Sequence, residues 1–130
     1  MKQENPKKIQ EARAILEELK QQRGGSVLSI HRKMANDPKL LQAFSQQFRI
    51  CKQEVTHIPP QYMELMLMLM GAAAHNPVTI RTHGQLAVEK GATLEEVGEV
   101  LRLLFFYFGA SAVIPAVDLF EEILDAKEGE

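Results

Sequence analysis

Hydrophobic residues recur at three- and four-residue spacing along most of the chain, a pattern typical of helices with one buried face. The pattern is clearest from Pro6 to Arg23, and Gly24-Gly25 then ends that helix. A short helix follows, for which Ser26 is the predicted N-cap, and a third is predicted after Asp37-Pro38, a capping residue followed by a proline in the first turn. No alternation of polar and β-branched residues indicates a strand, so the predicted fold class is all-α.

The second half of the chain predicts four more helices. One runs from about Pro60 to Ala74, and the next follows Asn76-Pro77 and ends at Lys90-Gly91. Thr93 opens the following helix with a capping box, because a Glu stands three residues after it. A last amphipathic helix is predicted from Val113 to Leu124, and the tail after it is expected to fray.

Length and composition predict one globular domain over residues 1–130, built as a compact bundle of about six to seven helices. The fifteen basic and seventeen acidic residues give a formal net charge of −2. We interpret these charges as well mixed, which makes nucleic acid a poor partner. The single cysteine, Cys51, is predicted to be a small buried residue. Because it cannot form an intrachain disulfide and no signal peptide is recognisable, we expect a cytoplasmic location.

Two stretches lack charged residues, Leu65 to Ile80 and Leu103 to Val117. Each is shorter than the ~18–20 residues that a membrane span requires, so no membrane association is expected and both are predicted to be buried helices. A small domain has few helices that are interior on all sides. We therefore expect part of their surface to pack against another subunit in a homo-oligomer.

The candidate chemistry lies in the apolar segment from Tyr62 to His83, which carries Glu64 near one end and His83 at the other. If two helices pack here, a carboxylate and an imidazole meet in an apolar environment, where pKa values move and proton transfer becomes possible. The alternatives are a solvent-facing Glu64 and a His83 that is only a surface or core residue. No ligand spacing, phosphate loop or nucleophile elbow indicates a metal or organic cofactor.

Several motifs of the second half resemble a known family. They are Pro59-Pro60-x-x-x-Glu64-Leu65, the small residues Gly71-Ala72-Ala73-Ala74, His83 with its helix, Lys90-Gly91-Ala92-Thr93-x-Glu95-Glu96-Val97, and the Gly109-Ala110 turn. The chain resembles the carboxymuconolactone decarboxylase family, which includes the alkylhydroperoxidase D-like proteins. The resemblance covers about Ile58 to Leu124 and leaves residues 1–57 as an N-terminal helical extension. It implies an all-helical unit that assembles as trimers or hexamers.

The resemblance also separates two kinds of chemistry. Glu64 and His83 stand at the positions of the Glu and His of the peroxidase branch, but Asn76 and Thr79 occupy the positions of its two cysteines. A dithiol peroxidase needs one thiolate to attack peroxide and a second thiol to resolve the product, which disfavours that activity. The decarboxylase branch, by resemblance, acts on a carboxylated lactone without metal or organic cofactor.

The leading hypothesis is therefore a carboxy-lyase or isomerase acting on a small carboxylated metabolite. Proton transfer is assigned to His83 as acid and to Glu64 as the group that orients it. Arg81 is our own candidate for binding the substrate carboxylate. The full set of predicted substrate contacts is Arg81, His75, Asn76 and Thr79. The alternative is a non-catalytic oligomeric scaffold or small-molecule binding protein in which the pair is structural.

Overall fold

The computed structural model describes residues 1–123 and divides the chain into two compact units, Met1–Thr56 and His57–Glu130. Among the described residues there are seven α-helices and no β-strand, so the all-α prediction is confirmed. The assignment of one domain over the whole chain stays a prediction. The tail that is predicted to fray, residues 127–130, lies outside the described residues.

The first unit consists of α1 (Pro6–Gln22), α2 (Ser29–Met34), α3 (Pro38–Phe48) and a π-helical turn (Arg49–Gln53). Helix α3 begins where the sequence predicts: the side chain of Asp37 accepts a hydrogen bond from the Lys39 amide at 3.2 Å. Helices α1 and α3 pack together and bury Leu19 and Leu41 completely. The apolar faces expected from the spacing therefore meet inside this unit.

Two predictions in the first unit are wrong. Ser26 is not an N-cap, because α2 begins at Ser29, and the Leu28 amide donates instead to His31 Nδ1 at 3.0 Å. Cys51 is exposed rather than buried. It lies in the π-helical turn, where the wider helix shifts the angular position of each residue, so the regular spacing no longer predicts which residue faces inward.

The second unit contains α4 (Pro60–Ala73), α5 (Pro77–Glu89), α6 (Leu94–Phe108), α7 (Ala110–Val113) and a 3₁₀ helix (Ile114–Leu119). The predicted positions of α4, α5 and α6 are confirmed. Helices α4 and α5 share the most extensive packing of the unit, and α6 also packs against α4. The most buried apolar side chains of the unit are Met68, Leu104, Val97, Ala72, Ala87, Ala112 and Ala116.

The close packing of α4 and α5 depends on Gly71. A Cβ atom at this position would lie 2.7 Å from Thr79 Cγ2 and 2.9 Å from Thr79 Cβ. Only a residue without a side chain allows this approach. The turn between the two helices includes His75 with φ of 53°, and Asn76 then caps α5 by accepting from the Thr79 amide at 3.2 Å. This short turn fixes the register that builds the site.

The predicted last helix, Val113 to Leu124, is also wrong. The α-helical turn ends at Val113 and the chain continues as the 3₁₀ helix to Leu119, while Leu124 lies outside the described residues. Pro115 accounts for the change, because proline has no amide hydrogen and its ring clashes with the carbonyl one turn earlier in an α-helix. The spacing of apolar residues carries no information about this effect of proline.

The expected burial of the two uncharged stretches holds only in part. Met68 and Leu104 are buried, but Met70 is 61% exposed, Phe106 85% and Tyr107 78%. Their sequence is as apolar as predicted, yet these side chains are not covered within the described chain. The prediction that both stretches are buried is therefore wrong at these positions.

The charges are not well mixed between the two units. Residues 1–56 contain eleven Lys and Arg and six Asp and Glu, a formal net charge of +5. Residues 57–130 contain four basic and eleven acidic residues, a formal net charge of −7. The whole-chain value of −2 hides this separation, so the interpretation of the charges as well mixed is wrong.

Candidate functional site

The site is centred on Glu64, which projects from α4 into the interior of the second unit with 0% of its surface exposed. Its flanking residues on the same helix, Leu65 and Met68, belong to the hydrophobic core. A carboxylate taken out of water in this way requires compensating partners. The second unit supplies two from α5 and its end.

His83 on α5 is the first partner. Its Nδ1 lies 2.6 Å from Glu64 Oε2, and 19% of its side chain is exposed. A carboxylate can only accept a hydrogen bond, so Nδ1 carries the hydrogen and donates, an assignment made from the partner rather than from an observed proton. Nε2 is the ring nitrogen that remains for another contact. The predicted meeting of Glu64 and His83 thus has the geometry of an oriented imidazole.

Lys90 is the second partner, and the sequence did not lead us to predict its role. Its Nζ donates to Glu64 Oε1 at 2.5 Å, and 36% of its side chain is exposed. The sequence interpretation used Lys90 only as a basic residue at the end of a helix. The signal that could have found it was spacing: Lys90 follows His83 by seven residues, about two helical turns, which places both on one side of α5.

The exposures of the three residues increase outward from Glu64. The Glu64 side chain is fully enclosed, whereas the side chains of His83 and Lys90 are 19% and 36% exposed. Because both carboxylate oxygens are engaged by cationic or polar donors, the anion is stabilised in place. A ligand from solvent would therefore meet His83 and Lys90, with Glu64 acting from behind them.

A second set of hydrogen bonds anchors the start of α6 to α4. The hydroxyl of Tyr62 donates to Glu96 Oε1 at 2.9 Å, and this bond raises the pKa of Tyr62. Glu96 Oε2 also accepts from the Thr93 amide at 2.9 Å, and Thr93 Oγ1 accepts from the Glu96 amide at 3.1 Å. The predicted capping box is confirmed. It fixes the chain immediately after Lys90.

For the other predicted site residues the structure shows different contacts. Asn76 and Thr79 bond to one another at the start of α5, and His75 is exposed in the turn before it. Arg81 is exposed and lines a cavity of about 210 Å³ beside the 3₁₀ helix, together with Asp118. Residues two apart on a helix face different directions, so Arg81 and His83 point away from one another.

The described residues also bear on metal and membrane binding. Within residues 1–123 no three His, Cys, Asp or Glu side chains lie close enough to hold a metal ion. Nor is any helix in that range long and apolar enough to cross a membrane. Cys51 belongs to the first unit, whereas Glu64 and His83 belong to the second.

Comparison with known families agrees with the geometry. The sequence profile of the carboxymuconolactone decarboxylase family matches residues 38–122, more than half of the 130-residue chain. The chain belongs to this family. Comparison with curated proteins and with solved structures finds no match. The range matched to the carboxymuconolactone decarboxylase family includes all three of Glu64, His83 and Lys90, and it begins at residue 38 rather than at the expected residue 58.

Proposed function

We propose that the protein is a cofactor-free carboxy-lyase or isomerase that acts on a small carboxylated metabolite through Glu64 and His83. The observation that carries this proposal is the 2.6 Å contact between the fully buried Glu64 carboxylate and His83 Nδ1, with the imidazole at the protein surface. Membership of the carboxymuconolactone decarboxylase family supports the reaction class. We place the protein in the cytoplasm, in keeping with its single cysteine.

The proposed reaction assigns one task to each atom of the pair. The bond between carbon and the substrate carboxylate breaks, carbon dioxide leaves, and the electron pair is delocalised toward an adjacent carbonyl oxygen. His83 Nε2–H then delivers a proton to the carbon, so the carboxylate substrate plus one proton gives the decarboxylated product plus carbon dioxide. Glu64 accepts a hydrogen bond from Nδ1–H, which orients the ring.

Lys90 completes this arrangement as a positioning residue. Its ammonium group occupies Glu64 Oε1 and leaves Oε2 for His83, so the carboxylate cannot rotate without losing one partner. The ammonium group also compensates the burial of the carboxylate, because a buried charge needs a partner. Loss of Lys90 would leave Glu64 with one fewer donor in an apolar environment.

The binding of the substrate carboxylate is proposed to involve Arg81. Arginine binds a carboxylate through two parallel hydrogen bonds, and the Arg81 side chain is exposed beside a cavity. Its position away from His83 makes the assignment testable. If Arg81 binds substrate, Arg81→Gln should raise KM with little change in kcat, whereas Arg102→Gln, at an exposed position of α6, should change neither. The contacts assigned to His75, Asn76 and Thr79 belong to the same proposal.

The main test compares His83→Ala with His57→Ala in a carbon dioxide release assay on carboxymuconolactone. His83→Ala should lower kcat at least 100-fold, which is the usual contribution of a general acid. His57 is exposed at the start of the second unit, so its substitution should leave the rate unchanged. An unchanged rate in His83→Ala would refute the assigned role. No turnover by the unaltered protein on a panel of carboxylated lactones would favour the non-catalytic alternative.

We also propose that the protein forms a homo-oligomer, a trimer or hexamer, through the exposed aromatic residues at the C-terminal end of α6. Phe105, Phe106, Tyr107 and Phe108 are 57%, 85%, 78% and 49% exposed. Aromatic side chains that bury about 150–250 Å² each would here leave on the order of 500 Å² uncovered. That is near the upper end for a single patch on a monomer, and a good part of the roughly 800 Å² per partner in a standard interface.

Sedimentation analysis tests the oligomer directly. The double substitution Phe106→Glu with Tyr107→Glu should convert the assembly to monomers, because charged groups would have to be desolvated in the contact. Leu40→Glu introduces a charge at another exposed apolar position, on α3, and should leave the assembly intact. A monomeric unaltered protein, or equal dissociation by both variants, would rule out an interface at this end of α6.

A further inference from the structure

A groove in the first unit, between α1 and α2, combines an apolar base with a basic border. Its volume is about 520 Å³. This lies within the roughly 300–1,000 Å³ range of small-molecule sites. The apolar base is formed by Ile9, Ala12, Leu16 and Ala35. Residues of both helices and of the N-terminal segment line it.

The border of the groove carries positive charge only. Lys2, Arg13, Arg32 and Lys33 line it, and no lining residue is acidic. The side chains of Arg13 and Lys33 form no hydrogen bond or ion pair with any part of the chain that the structure describes. Arg32 uses one nitrogen, Nη1, to donate to the Val27 carbonyl at 3.0 Å. Several cationic donors thus remain directed at one concave, partly apolar surface.

The end of the groove is held in place by hydrogen bonds. The Gln3 amide donates to Asn36 Oδ1 at 2.7 Å, and Gln3 Nε2 donates to the Asn36 carbonyl at 3.0 Å. These two bonds join the N-terminal segment to the end of α2. The groove therefore has a defined wall on this side rather than a loose chain end.

The chemistry of the lining selects one class of ligand. Cationic groups around a recessed apolar base complement a molecule with an anionic head and a hydrocarbon body. The lining has no aromatic side chain on which a nucleobase would stack and no carboxylate that would bind a metal ion. The net charge of +5 on residues 1–56 attracts the same class of ligand over a longer range.

We propose that this groove binds a small anionic amphiphile, a carboxylate on an aliphatic chain, with Arg13, Arg32 and Lys33 contacting the head group and Ile9, Ala12 and Leu16 contacting the chain. This site lies in the first unit and is separate from the Glu64–His83 pair of the second. It does not depend on the proposed decarboxylase activity, so each proposal can fail without the other.

Amide NMR spectra of the ¹⁵N-labelled full-length protein, titrated with decanoate, test the proposal. Saturable shifts should appear at Ala12, Arg13 and Ala35. Decyltrimethylammonium, which has the same chain and the opposite charge, should not reproduce them. Shifts confined to the aromatic residues at the C-terminal end of α6, or equal shifts with both amphiphiles, would overturn the proposal. This mapping uses the unaltered protein and needs no variant.

Two charge-matched variants complete the test. Arg13→Gln with Lys33→Gln should weaken decanoate binding at least tenfold, because it removes two head-group contacts. Lys7→Gln with Lys39→Gln removes the same charge from exposed positions that do not line the groove, and should change binding less than threefold. Equal weakening in both variants would mean that decanoate responds to net charge alone and would overturn the assigned site.

Discussion

His31 in the first unit and His83 in the second both form a hydrogen bond through Nδ1, but in opposite senses. His31 Nδ1 accepts from the Leu28 amide at 3.0 Å, and the ring is 1% exposed with its centroid 5.2 Å from that of Phe44. Burial, followed by the charges of Arg23 and Arg32, lowers the pKa of His31. This histidine is held neutral and serves as part of the core.

His83 has the contrasting environment. Its Nδ1 donates to the buried Glu64 carboxylate at 2.6 Å, and 19% of its side chain is exposed. Burial of a histidine is therefore a poor guide to function by itself. The informative features are the identity of the partner and access from solvent. A backbone amide donor and a closed environment indicate a structural histidine, whereas a buried carboxylate partner and an exposed ring edge indicate a histidine that can transfer protons.

Glu64→Gln should cause the largest loss in the free energy of unfolding. It removes the charge that His83 and Lys90 contact while keeping the shape of the side chain. Breaking a buried ion pair costs about 3–5 kcal/mol, and partial exposure of His83 and Lys90 reduces the expected loss to roughly 2–3 kcal/mol. Urea denaturation followed by tyrosine fluorescence measures it. Glu99→Gln, which loses an exposed 3.7 Å pair with Arg102, should cost less than ~0.5 kcal/mol. Equal losses would show that Glu64 gains nothing from its partners.

The site shows what sequence could and could not predict. The pairing of Glu64 with His83 was predictable, because an apolar segment separates two ionisable groups that share a family motif. The contact from Lys90 was missed because its position before Gly91 already had an explanation as the end of a helix. Arg81 was a candidate for its chemistry alone, although it stands two residues from His83 and so on a different side of α5.

The fold was predictable wherever capping residues and apolar spacing agree. The starts of α3, α4, α5 and α6 follow from proline and capping side chains that act within one turn. The failures at Ser26, Cys51 and the last helix have a common origin. In each, a local contact or backbone departure changes the helical register: the His31 acceptor, the π-helical turn and Pro115. Residue spacing does not contain that information.

Gly71→Ala should cause the next largest loss of stability, because it disturbs the packing of α4 against α5, which brings Glu64 and His83 together. The added Cβ would lie 2.7 Å from Thr79 Cγ2, so α4 and α5 would have to separate, at a cost of about 1–3 kcal/mol. Gly98→Ala is the control, because a Cβ added there would meet nothing within 4 Å and alanine favours a helix by up to ~1 kcal/mol. Thermal denaturation should therefore show opposite shifts. A Gly71→Ala variant as stable as Gly98→Ala would contradict the close approach.

A smaller effect on the free energy of unfolding should come from His31 and should depend on pH. Its pKa is lowered in the folded protein, so between that value and the unfolded value near 6.5 the unfolded chain binds more protons. The contribution of His31 to stability is then full above pH 6.5, falls as the pH drops from 6.5 to the folded pKa, and levels off below it. Urea midpoints at pH 7.5 and pH 5, reported by a dye on Cys51, measure this contribution. His31→Phe should flatten the dependence, and His57→Phe should retain it; the same slope in all three proteins would exclude His31.

The smallest expected effect concerns the urea midpoints of the two units, which should not differ. Both tyrosines, Tyr62 and Tyr107, lie in the second unit and the chain has no tryptophan, while Cys51 is an exposed and unique thiol in the first. Tyrosine fluorescence and a Cys51 dye therefore report one unit each. If the chain is a single domain, both urea transitions should have the same midpoint, as cooperative unfolding requires. The control is the variant Cys51→Ser with Ser111→Cys, which carries the dye in the second unit and should give the same midpoint as tyrosine fluorescence. If the midpoint from the dye differs from that of tyrosine fluorescence only when the dye is on Cys51, the two units unfold independently.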